Sequence, residues 1–98
     1  MRGAEMAIGY GTLELRLFGV SSLKEKRNIT KSLLNDIRKR FNVSVIESGA
    51  NDSKLVLEIS YALVARTRAE VDAISESLVR FIEDFKGYQI VTERRESW

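Results

Sequence analysis

Four cations, Lys24, Arg27, Lys31 and Arg38, fall within an arc of about 60° when the segment that holds them is drawn as a helix at about 100° per residue. A stripe of that kind suits a phosphate backbone: each contact releases counterions, so affinity depends on salt and carries no base information. The same segment, 22–41, adds Lys26, Lys39 and Arg40 against only Glu25 and Asp36, for a net charge of +5. Segment 67–87 sets Arg68, Arg80 and Lys86 against Glu70, Asp72, Glu76, Glu83 and Asp84, for −2. The chain as a whole carries +2, so its near-neutral total hides this polarity. Two readings follow. The stripe binds phosphate, or it is simply a solvated helix face, whose charges could also pair across the seam between two helices.

Composition removes most other chemistry. The 98 residues contain no His, Cys or Pro. Disulfides, thiolate catalysis, zinc fingers and imidazole-ligated metals are therefore impossible, and any site would rest on carboxylates, Lys, Arg, Ser or Tyr. There is no G-x-x-x-x-G-K-[ST], no G-x-G-x-x-G and no calcium-loop run. Gly9-Tyr10-Gly11 precedes a strand pattern rather than a helix, so it reads as the way into a strand. No cofactor and no metal are expected. With no apolar window long enough to span a bilayer and no apolar signal-peptide core, the expectation is a cytoplasmic protein without membrane contact.

The elements that must hold the stripe are legible from periodicity. From Thr12 to Phe18 the residues alternate, with Leu13, Leu15 and Leu17 on one side, which predicts a half-buried strand that Gly19 ends. Ser22-Leu23-Lys24-Glu25 is a capping box opening a helix to Phe41, whose apolar face is Ile29, Leu33, Ile37 and Phe41, widened by Thr30 and Leu34. Val43 to Ser48 and Leu55 to Val64 are strands on either side of a loop of turn formers. Thr67-Arg68-Ala69-Glu70 is a second capping box, starting a helix of Val71, Ile74, Leu78, Ile82 and Phe85 that runs to Lys86-Gly87; Tyr88 to Glu93 is the last strand.

Strand, helix, strand, strand, helix, strand is a split β-α-β unit used twice, which predicts a single α+β, ferredoxin-like domain. Both helices should cover one face of a four-stranded antiparallel sheet. The expected core is Leu13, Leu15, Leu17, Leu33, Ile37, Leu57, Ile59, Leu78 and Ile82.

The stretch 13–45 resembles the YlxP-like family of small bacterial proteins, a domain-of-unknown-function family. The resemblance rests on Ser22-Leu23-Lys24-Glu25-Lys26-Arg27, then Lys31-Ser32-Leu33-Leu34 and Arg40-Phe41-Asn42-Val43-Ser44-Val45. It extends more weakly from Met6 to the end of the second helix, which makes residues 1–5 an extension expected to lack order. It implies a ferredoxin-like fold, no assigned activity, no catalytic residue, and genes often near those of translation and ribosome-assembly factors. Many relatives look to carry an aromatic residue before the third strand, where this chain has Asn51-Asp52-Ser53-Lys54, so no role for that aromatic transfers.

The resulting expectation is a non-enzymatic accessory domain that meets RNA or a ribosomal particle through Lys24, Arg27, Lys31 and Arg38. The alternative is a homodimeric interaction module, because the outward sheet side carries Val56 and Ala62, with Ile46 and Val91 nearby. Base stacking on that face is not expected: Val56, Glu58, Ser60 and Ala62 of the third strand include no aromatic, and although Tyr10 and Phe18 share the outward side of the first strand, Glu14 and Glu58 would repel phosphate there; the terminal Trp98 is expected to fray. An acylphosphatase-like hydrolase is the third reading, through Arg27 and Asn28. It fits poorly, because Gly19-Val20-Ser21-Ser22 lacks a Gly-rich anion cradle and Arg27 lies inside the helix.

Overall fold

In the computed structural model, which describes residues 5–85 and 87–98, the alternation of Leu13, Leu15 and Leu17 is the second half of an 11-residue strand, β1 (Ala7–Leu17). The first half continues the same alternation through Gly9 and Gly11. These glycines stand inside the strand because neighbours cross over them. A Cβ on Gly11 would lie 2.6 Å from the Tyr61 ring, and one on Gly9 would collide with the Val71 side chain.

Helix α1 (Leu23–Arg40) follows, then β2 (Ser44–Gly49), β3 (Val56–Ala65), α2 (Arg68–Glu83) and β4 (Tyr88–Ser97). The order along the sheet is β2-β3-β1-β4, with every neighbouring pair antiparallel, which is the ferredoxin-like arrangement. Leu33 and Ile37 of α1 and Leu78 and Ile82 of α2 share one core with Leu13, Leu15, Leu57 and Ile59, so both helices cover the same face. All nine expected core residues are buried. Shortening any one of these leucines or isoleucines to Ala would cost about 2–5 kcal/mol.

Both helices are capped as their boxes predict, with one difference. Ser22 Oγ accepts from Glu25 N at 3.0 Å and Thr67 Oγ1 from Glu70 N at 3.1 Å. The glutamates, however, reach one residue beyond the cap: Glu25 accepts from the Ser21 hydroxyl at 2.7 Å, and Glu70 from Arg66 N at 3.0 Å. The second helix stops at Glu83, short of the expected Lys86-Gly87. Lys86 and residues 1–4 of the expected extension lie outside the described residues.

The last strand runs four residues past Glu93. Instead of fraying, Trp98 exchanges two backbone hydrogen bonds with Ile8, at 3.0 and 2.9 Å, because β1 already begins at Ala7 and offers it a partner. Where Glu14 and Leu15 face β4 the register shifts by one residue; Leu15 pairs with Ile90 and Glu14 with Thr92, which leaves Val91 as the bulge. Among the described residues no helix is long and apolar enough to cross a membrane.

Candidate nucleic-acid interface

The amphipathic pattern of α1 decides where its cations go. Thr30, Leu33, Leu34 and Ile37 turn into the core, which leaves two flanks. On one flank Arg40 lies over the Phe81 ring of α2 at 4.8 Å, and Asn28, Ser32 and Asp36 line a cleft with Phe85 and Tyr88. Burial pushes the Tyr88 phenol up to about 12, and the Asp36 carboxylate adds to the rise. That flank is the seam, and its contacts are aromatic: Phe41 packs edge-on against Phe81, and Phe81 against Phe85.

Lys24, Arg27, Lys31 and Arg38 occupy the opposite flank, beside β2, and all four are exposed. The stripe therefore points away from α2. Among the described residues none of the four has a carboxylate within ion-pair reach, and no ion pair joins the helices. Among the described residues seam pairing is therefore absent, which leaves a solvated face and phosphate binding as the readings of the charge pattern.

The four are not equivalent. Arg38 Nη2 donates to the Val45 carbonyl at 2.7 Å, tying the end of α1 to β2. Among the described residues Lys24, Arg27 and Lys31 make no such bond.

Lys26 belongs to neither group. Counted by sequence with the helix's surface charge, it is 1% exposed, and its ammonium donates to the Ala50 carbonyl and lies 3.6 Å from Glu47 Oε2. Ala50 has φ 57°, in the left-handed region, within the turn between β2 and β3. Lys26 thus fastens that turn to the first turns of α1. The signal was present in the sequence: Lys26, Thr30, Leu33 and Ile37 follow one another at helical spacing on the buried side.

The hydrolase reading loses its cradle. At the start of α1 the place an anion would take is filled by the Glu25 carboxylate, which accepts from both the Ser21 hydroxyl and Ser21 N. Arg27, beyond the first turn, is exposed on the flank rather than aimed at that spot. Among the described residues no group of carboxylates is arranged to hold a metal ion.

An α+β ferredoxin-like domain with a basic outer edge is what the fold and its surface define. The chain belongs to the DUF503 family of proteins of unknown function, which matches residues 8–95. It is 29% identical over 89 residues to the uncharacterized protein YlxP of Bacillus subtilis (strain 168), covering 91% of this chain and 97% of that protein. A solved structure, De novo designed protein Foldit4, shares the fold with a TM-score of 0.52 at 15% identity, covering 94% of this chain and 97% of that one. The family carries no assigned activity.

Proposed function

We propose that this protein is a non-enzymatic accessory domain of the cytoplasm that binds RNA, free or in a ribosomal particle, through the phosphate backbone along α1. The observation that supports this reading is the set Lys24, Arg27 and Lys31: exposed, on one flank, turned away from the acidic second helix and without carboxylate partners among the described residues. Arg38 closes the stripe, with part of its guanidinium committed to Val45.

Phosphate contact makes a quantitative claim. Three contacts to a single strand give a log–log salt slope of about −2, so affinity falls roughly 20-fold between 50 and 200 mM salt. Reversing Arg27 and Lys31 to Glu should weaken binding to every RNA sequence alike and flatten that slope to about −0.7. Adding Asp72→Lys and Glu76→Lys to the double variant restores the net charge without restoring the stripe, and binding should stay weak. Wild-type protein that ignores RNA at low salt overturns the reading, and so does full rescue by the α2 lysines.

A further inference from the structure

We infer that the open face of the sheet is the surface on which a second copy of this chain packs. The inference is independent of the RNA reading, because α1, which carries the stripe, lies on the other face. The register places Trp98, Ile8 and Val64 side by side across β4, β1 and β3, with Tyr10 and Ala62 in the next row and Ile46 on β2 flanking them. Ile8, Tyr10, Ile46, Val64 and Trp98 are each 45–62% exposed. Together they leave on the order of 600 Å² of largely apolar surface in one patch, the upper end of what a monomer normally shows, against roughly 800 Å² per partner in a stable interface.

The polar groups beside the patch are already matched among themselves. Thr12 and Ser60 hydroxyls share a hydrogen bond at 2.8 Å, and Ser60 Oγ donates to Ser48 Oγ at 2.7 Å, a chain across β1, β3 and β2. Covering this row leaves no hydroxyl among the three newly stranded, which removes the usual cost of drying a polar strip.

Charge selects the occupant. The same face carries Glu14, Glu58 and Glu96 beside Arg16 and Arg94. Three carboxylates repel a phosphate chain, whereas a face bearing both signs complements itself across a twofold axis, where every contact is made twice. An identical copy supplies the matching apolar patch and the matching rim.

The chain contains a single tryptophan, Trp98, which lies in the patch and reports on it. Sedimentation velocity and Trp98 emission, followed over a dilution series of the full chain, should show a species of twice 11.2 kDa giving way to the monomer as the emission moves to the red. The double variant Ala62→Arg, Val64→Glu, whose two sites are exposed, should stay monomeric at every concentration with an unchanged far-ultraviolet spectrum. Should that variant fail to fold, the joint movement of mass and emission in the wild type decides the matter alone. The inference is overturned by an 11.2 kDa species throughout, by an assembly whose formation leaves Trp98 emission unmoved, by a folded double variant that still assembles, or by RNA that quenches Trp98 on a protein that stays monomeric.

Discussion

The two β-α-β halves carry the same frame and opposite charge. Counted from the caps Ser22 and Thr67, Glu25 matches Glu70, Thr30 matches Ser75, Leu33 matches Leu78 and Ile37 matches Ile82, and the last three pairs are buried in both helices. On the flank, Arg27 stands where α2 has Asp72, Lys31 where it has Glu76, and Arg38 where it has Glu83. Asp72 and Glu76 border a cleft with Arg95 and Ser97 of β4, just as Arg38 touches β2. The basic and acidic stripes therefore lie along opposite outer edges of the molecule, too far around their helices to meet. Identical packing rules have produced one basic edge and one acidic edge, and the fold is indifferent to which is which.

The sharpest break in the match is at the fourth helical position, where α2 buries Val71 and α1 buries Lys26. Val71 packs over Gly9; Lys26 instead holds Ala50 and Glu47. The largest effect is expected here. Replacing Lys26 by Met keeps the length of the side chain and removes the donor, leaving the Ala50 carbonyl only its bond from Ser53 N and the Glu47 carboxylate without its cation. It should cost about 2 kcal/mol, seen as a fall in melting temperature of roughly 10 °C. Glu47→Gln should cost less, since Glu47 retains 24% side-chain exposure. A Lys26→Met protein as stable as wild type would show that the turn holds itself.

A smaller difference separates Thr30 from Ser75. The Ser75 hydroxyl lies near the Tyr61 phenol, whose pKa is raised by burial and lowered somewhat by that neighbour, but among the described residues the phenol oxygen has no hydrogen-bond partner. Thr30 Oγ1 is buried without a partner among the described residues. Thr30→Val, equal in shape, should therefore stabilise the protein by about 1 kcal/mol in denaturant unfolding. The smallest effect belongs to the flank. Giving α1 the residues of α2, Arg27→Asp with Lys31→Glu, should move stability by less than about 1 kcal/mol, because exposed charges contribute little, even as RNA binding is lost. A large loss of stability would mean that the stripe is structural after all.

Element order, both caps and the core positions were legible because each is a local pattern: period two in Leu13-Leu15-Leu17, period near four in Ile29-Leu33-Ile37, and Ser or Thr three residues before Glu. The misses came where local rules speak ambiguously. Gly9 and Gly11 look like punctuation, and become strand interior only because Val71 and Tyr61, distant in sequence, press on that backbone. The end of β4 reads as a polar run, Glu93 to Ser97, and pairs because β1 extends alongside it.

By itself, then, the sequence determined the fold class, the two amphipathic helices and a basic arc holding Lys24, Arg27, Lys31 and Arg38, because periodicity and capping are written in neighbouring residues. Tertiary structure alone decided what each cation does. A helical wheel gives angles about one axis, but not what stands at each angle; the packing of α1 beside β2 sends Lys26 inward to Ala50, ties Arg38 to Val45, and leaves Lys24, Arg27 and Lys31 facing water. The pairing of Ile8 with Trp98 likewise assembles an apolar face from residues ninety positions apart, a contact that only the folded sheet creates.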